Sequence, residues 1–150
     1  MMNRLKGEAL HHLREGRPDD ALTATLAAIT AAVEAGDGDD AVDTVELSLV
    51  YECLARVHID LEDIDEALLA AREMLRLRIV AGREGLISAG RVFLSNILVR
   101  TGDLAETEAE LMMAVVEIAR ELGANHAETR LAIDKLELVR RRRAVAAVPQ

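Results

Sequence analysis

Aromatic residues, cysteine and proline are scarce in this sequence of 150 residues. Tyr51 and Phe93 are the whole aromatic content, and Cys53 is the single cysteine. One cysteine excludes a disulfide within the chain and a zinc site built from several thiolates. A reducing compartment is therefore the simplest setting, and we predict a cytoplasmic protein.

Long hydrophobic runs are also missing. No stretch approaches the ~18 uncharged apolar residues that a membrane span needs. The first residues, MMNRLKGEALHHLREG, lack the apolar core of a signal peptide. We expect a soluble protein that is not exported and has no membrane partner.

The short motifs that mark common catalytic and nucleotide-binding sites, HExxH, GxSxG, GxxxxGK and GxGxxG, do not occur. His11 and His12 are adjacent, so on a helix they point about 100° apart and do not easily share one metal ion. The segment GDGDDAVD at 36–43 resembles a calcium loop only superficially, because Ser48 stands where the loop needs its last acid. We predict no catalytic residue, no cofactor and no metal ion, and therefore a protein that is not an enzyme.

The formal net charge of −9 is distributed unevenly along the chain. Residues 1–66 contain 16 acidic and 5 basic side chains, whereas the remainder contains 11 acidic and 13 basic ones. Phosphate contacts need clustered cations, so this balance argues against nucleic-acid binding and favours a basic or apolar partner. The basic run Arg140–Arg143 could contact an anionic partner, but we favour the alternative that it complements the dipole of a helix C-terminus.

Strong helix formers dominate the sequence, and apolar residues recur at spacings of three and four. Glycine-containing breakers, at 16, 36–38, 82, 102 and 123, separate these stripes. The pattern predicts seven helices and an all-α fold. A carboxylate three residues after each of Asp63, Asp103 and Asn125 indicates that these residues cap helix N-termini.

Three turns share one pattern: GRPDDA at 16–21, EDIDEA at 62–67 and GDLAET at 102–107. Each ends in a small residue, and the positions twelve residues before it and seven residues after it are also small, with one exception. The nine residues at these aligned positions are Ala9, Ala21, Ala28, Ala55, Ala67, Met74, Ser95, Thr107 and Ala114. The pattern indicates an internal repeat of helix pairs.

These segments resemble the turns and small-residue positions of tetratricopeptide repeats over roughly residues 2–122. The resemblance implies an α-α superhelix of about three helix pairs, closed by a C-terminal capping helix at about 125–143. It also implies one helical repeat domain over 1–143, followed by a flexible tail at 144–150. We expect a polar outer face on the capping helix, formed by Glu128, Arg130, Asp134, Lys135, Glu137 and Arg141.

The sequence departs from the tetratricopeptide pattern in two ways. His12, His58 and Leu98 stand at one of the family's aromatic sites, so the packing is more aliphatic. The turns lie 46 and then 40 residues apart, against 34 in the basic repeat, which implies longer helices.

In this family the first helix of each pair lines a concave groove. The corresponding positions here are Lys6, Leu10, Leu13 and Arg14, then Leu49, Glu52, Arg56, Ile59 and Asp60, then Ala89, Val92, Phe93, Asn96, Val99 and Arg100. We assign partner binding to all of them except Leu13, Asp60 and Ala89; the alternative is that several only pack against neighbouring helices or lie in solvent. Leu10 stands where members that grip a C-terminal carboxylate have asparagine, so we do not expect that clamp.

The resemblance implies a scaffold that binds a protein or peptide, such as an adaptor or small chaperone, through this groove. The alternative is a self-associating structural or regulatory module that controls a partner protein. For a homodimer we expect the apolar face of the first helix, with Met2, Leu5 and Ala9, to form the contact.

Overall fold

The computed structural model describes residues 1–36 and 43–149, and every regular element in these ranges is an α-helix. The helices are α1 (Met2–Arg14), α2 (Pro18–Ala35), α3 (Thr44–Asp60), α4 (Ile64–Ala81), α5 (Glu84–Thr101), α6 (Leu104–Leu122) and α7 (Ala127–Ala146). The predicted all-α class is confirmed for the described ranges. α7 ends three residues beyond the predicted boundary at 143. Most of the acidic segment at 36–43, weighed above as a calcium loop, lies outside the described residues.

The chain divides into two compact units. Unit 1 is Met1–Ala81 and contains α1 to α4; unit 2 is Gly82–Gln150 and contains α5 to α7. In unit 1 each helix packs against the next, and α1 also contacts α3. In unit 2, α6 packs against both α5 and α7. The superhelix and the single domain that the resemblance implies remain predictions.

Both units are built around small side chains at helix contacts. The nine aligned positions of the three turns are each at most 1% exposed, although Met74 is large. Short aliphatic side chains pack with them: Ala32 and Val50 cluster with Ala28 in unit 1, and Ala132 clusters with Ala114 in unit 2. Small side chains let helix backbones approach closely, so the helices pack without the missing aromatics.

The three aligned turns also share a backbone conformation. Their first residues, Gly16, Glu62 and Gly102, have φ angles of 69°, 61° and 82°. Glycine adopts this left-handed region freely, whereas a residue with a Cβ is strained there. Glu62 is the one non-glycine residue with a positive φ in the described ranges.

Replacing Glu62 with glycine should relieve this strain. We expect Glu62→Gly to raise the free energy of unfolding by about 0.5–1 kcal/mol, because glycine's greater freedom in the unfolded chain offsets part of the gain. Urea unfolding followed by far-ultraviolet circular dichroism measures the change. Glu66→Gly, in the first turn of α4, is the control and should lower the free energy instead. An equal loss of stability in both variants would show that the turn is not strained.

The N-caps agree with the sequence at one helix and differ at another. Asp103 Oδ1 accepts a hydrogen bond from the Glu106 amide at 3.0 Å, as predicted. At α7 the prediction of Asn125 is wrong: the cap is His126, whose Nδ1 accepts from the Glu128 amide at 3.2 Å. Both residues precede the helix, and local sequence does not decide which of two adjacent acceptors reaches the free amide.

The apolar face of α1 is not a free surface. Met2 and Ala9 are 8% and 0% exposed, and Leu5 packs against the core cluster that contains Met2, Ala28 and Val50. The prediction that this face mediates self-association is therefore wrong, because α2 and α3 already cover it.

Candidate functional site

The predicted partner-binding residues of unit 1 lie on two helices that touch each other. α1 carries Lys6, Leu10 and Arg14, and α3 carries Leu49, Glu52, Arg56 and Ile59. Leu10, Arg14 and Arg56 are exposed, whereas the other four are half-buried. Unit 1 thus brings its predicted residues onto neighbouring helices.

Glu52 is engaged within unit 1. Its Oε2 accepts a hydrogen bond from Arg78 Nη2 at 2.5 Å, and its Oε1 accepts from Arg56 Nη2 at 2.7 Å. Arg78 lies on α4 and is 2% exposed. Burial alone would raise the pKa of Glu52, but the hydrogen bonds from Arg56 and Arg78 outweigh it and hold the pKa below its ordinary value. This carboxylate joins α3 to a buried cation on α4.

Unit 2 contains two neighbouring cavities between α5 and α7, with α6 as their floor. The larger has a volume of about 600 Å³ and the smaller about 270 Å³. Val92 lines the first, and Asn96 and Val99 line the second. Phe93 and Arg100, the other residues predicted here, line neither cavity.

The lining residues repeat along both walls. α5 contributes Gly85, Ser88, Ala89, Val92, Ser95, Asn96 and Val99, and α7 contributes Glu128, Leu131, Ala132, Lys135, Leu138, Val139 and Arg142. Both series advance by three and four, as one face of a helix does. They also rise together, so α5 and α7 run parallel, and Lys135 lines both cavities. We call this continuous feature the α5–α7 groove; each wall spans about four helical turns, or ~21 Å.

The groove is apolar over most of its length. Leu131 and Leu138 are 57% and 48% exposed, and Leu122 on α6 is 40% exposed. Large apolar side chains left exposed along a concave surface are typical of a binding site. On α7 the expected polar face is exposed at Glu128, Arg130, Asp134, Glu137 and Arg141, with Lys135 half-buried. The same helix also presents Leu131 and Leu138 to the groove, alternating with Lys135 and Arg142.

Charges mark the two ends of the groove. Glu121 and Glu128 line it where α7 begins, whereas Lys135 lies at its middle and Arg142 at its far end. None of these four side chains makes an ion pair with another residue in the described part of the chain. Their charges are available to an occupant.

Unlike Arg142, the other three arginines of the basic run lie close to carboxylates in the described residues. Arg140 Nε and Arg143 Nη1 donate to Glu108 at 3.1 and 2.8 Å, and those hydrogen bonds hold the pKa of Glu108 below its ordinary value. Arg141 lies 4.0 Å from the Glu137 carboxylate. Arg140 and Arg143 therefore link α7 to Glu108 on α6, whereas Arg142 lines the groove.

A buried arginine fixes the other wall. Arg91 on α5 is 8% exposed and donates to two carboxylates of α6, those of Glu110 and Glu117, at 3.0 Å each. Burial alone would lower the pKa of Arg91, but the hydrogen bonds to Glu110 and Glu117 outweigh it and raise the pKa. These contacts hold α5 against the floor of the groove.

Cys53 and the residue types that bind metal ions are two further candidates for chemistry in the described residues. Cys53 is buried beside the Thr25 hydroxyl, 3.8 Å away, and burial raises the pKa of its thiol, which disfavours the reactive thiolate. No group of three or more His, Cys, Asp or Glu in these residues is placed to hold a metal ion. Of the helices described here, none combines the length and apolar character that a membrane crossing requires.

A comparison with models of known protein families finds no match to this chain, and a comparison with curated protein sequences finds none either.

Sequence reasoning found one wall of the groove and missed the other. The resemblance predicts groove positions at Val92, Asn96 and Val99 on α5. On α7 it predicts a cap with Glu128 and Lys135 on its polar face, and no partner-binding residue there. A signal was present: Leu131 and Leu138 are seven residues apart, as are Lys135 and Arg142. That spacing places all four on one side of a helix.

Proposed function

We propose that this protein is a scaffold that binds a protein or peptide, acting as an adaptor or small chaperone, and that the α5–α7 groove is its partner-binding surface. The observation that carries the proposal is the groove itself: exposed leucines along a helical wall, with unpaired charges at both ends. Sites of this kind bury an apolar segment and orient it with a few polar groups.

We further propose that the helix pairs are tetratricopeptide-like. Two observations support this: the nine aligned small-residue positions are all buried, and the three aligned turns begin with the same left-handed conformation. In such repeats each helix pair buries its apolar face only against a neighbour, and the first helices form the binding surface.

The test is the affinity of a partner captured from the native cell, titrated by calorimetry. Leu131→Glu places a charge in the larger cavity of the groove and should weaken binding at least about tenfold, since burying one leucine contributes about 1.5–3 kcal/mol. The matched control is Leu69→Glu on α4, where the leucine is 61% exposed.

We expect Leu69→Glu to leave the affinity unchanged. If both variants bind as tightly as the unmodified protein, the groove is not the partner-binding surface. Circular dichroism of the two variants establishes that each keeps its helical content.

A further inference from the structure

The geometry points to one class of occupant for the α5–α7 groove. It is an amphipathic helix of a partner protein, about four turns long, with acidic residues in its first turn and basic residues in its last. It runs antiparallel to α5 and α7. This inference rests on the proposed function and specifies the partner segment that the groove accepts.

The polar groups of the groove favour a helix over an extended peptide. Ser88 and Ser95 donate to carbonyls of their own helix, those of Gly85 and Val92. Among the lining residues, Asn96 is then the uncharged polar side chain that remains for an occupant. An extended peptide would bury backbone amides and carbonyls with few partners, whereas a helix satisfies its own.

The length and spacing of the walls also suit a helix. Lining residues follow a spacing of three and four along both α5 and α7. An amphipathic helix presents anchors at the same spacing, so its side chains fit between the leucines of α7 and the small residues of α5, such as Ala89. A partner helix of about 14–16 residues would fill the ~21 Å groove.

The charges fix the direction of the helix. An antiparallel occupant places its first turn beside Arg142 and its last turn beside Glu121 and Glu128. Acidic residues in a first turn and basic residues in a last turn also complement a helix's own dipole. In the antiparallel direction, the end charges of the occupant therefore pair with the groove and also complement the occupant's own helix dipole. In the parallel direction, charges that pair with the groove would oppose that dipole.

Two fluorescein-labelled synthetic peptides of ~16 residues test the inference by fluorescence anisotropy. They share the same leucine positions, but one carries glutamates in its first turn and lysines in its last, and the other carries glutamine at all of those positions. We expect the first to bind about fivefold more tightly, the sum of two exposed ion pairs. The double variant Lys135→Glu with Arg142→Glu should abolish or invert this ratio.

The matched control is Arg130→Glu with Arg141→Glu, which changes the charge of α7 equally at exposed positions outside the groove. The control should keep the ratio of the unmodified protein. Because the two peptides' own helicity is the same for every variant, the change in the ratio is the decisive readout.

A ratio that survives Lys135→Glu with Arg142→Glu would overturn the inference, as would no binding of either peptide at millimolar concentration. Neither result decides the proposed function, which depends on how the natural partner responds to Leu131→Glu. A partner that loses affinity for that variant while both peptides fail would show that the groove binds a segment of another kind.

Discussion

Replacing Arg91 with alanine should lower the free energy of unfolding by about 3 kcal/mol. The guanidinium is 8% exposed and is held by Glu110 and Glu117, whose side chains are 18% and 24% exposed. Its removal leaves two half-buried carboxylates of α6 close together without their cation. Breaking one partner of a buried ion pair costs far more than the pair contributes, because the remaining charge stays desolvated.

Urea unfolding followed by circular dichroism measures this loss, and Arg130→Ala on the exposed side of α7 is the control. We expect the control to change stability by less than about 0.5 kcal/mol. Adding Glu110→Gln and Glu117→Gln to Arg91→Ala should restore part of the loss, because the stranded charges are then gone. An Arg91→Ala protein as stable as the control would contradict the assigned contacts.

The second large effect is expected at Glu52. Glu52→Gln should lower the free energy of unfolding at neutral pH by about 2 kcal/mol, because Arg78, 2% exposed, loses its charged contact with the Glu52 carboxylate. The side chain of Glu52 is 22% exposed, so we expect a smaller loss than at Arg91. The exposed pair of Arg76 and Glu73 provides the control, and Glu73→Gln should cost less than about 1 kcal/mol.

The loss at Glu52 should depend on pH. Hydrogen bonds from Arg56 and Arg78 overcome the effect of burial and lower the pKa of Glu52 in the folded protein from its ordinary value of 4.5. A lowered pKa means that its stabilisation is fully present above pH 4.5 and is lost as the pH falls through the folded value. The difference between the unmodified protein and Glu52→Gln should therefore be constant near neutral pH and shrink in acid. A difference that grows in acid would contradict the pairing.

The helices could be predicted from the sequence because their signals are local. Apolar residues at spacings of three and four mark a helix face, and a glycine such as Gly102 ends the helix where the left-handed conformation is needed. The buried small residues could be predicted for a related reason: three copies of one turn pattern repeat the same packing requirement. Glu62 shows the limit, since the turn forms there without its glycine.

The candidate site could be predicted only in part, because its contacts are long-range. Glu52 reads as a groove residue from its position on α3, but Arg78, which holds it, lies 26 residues further along the chain. Met2 and Ala9 read as a free apolar face until α2 and α3 are placed over them. In each case the helix face was visible in the sequence, whereas the surface that covers it depends on the packing of other helices.

The partner preference could also be predicted only in part from the charge of the sequence. The acidic first 66 residues predict a basic or apolar partner, and that prediction remains open for unit 1. The α5–α7 groove lies in unit 2, where the acidic and basic residues of 82–150 are equal in number. The local arrangement there, with Glu121 and Glu128 opposite Arg142, is what sets the preference we infer. The net charge of unit 2 therefore does not predict the charge at either end of the groove.

The most direct test of the central claim is a methyl nuclear magnetic resonance titration of the protein, labelled at leucine, isoleucine and valine, with the partner captured from the native cell. If the α5–α7 groove binds the partner, the methyl signals of Val92, Leu131 and Leu138 should shift most. Shifts confined to Leu10 and Ile59 on α1 and α3, with the three groove signals unmoved, would contradict the account.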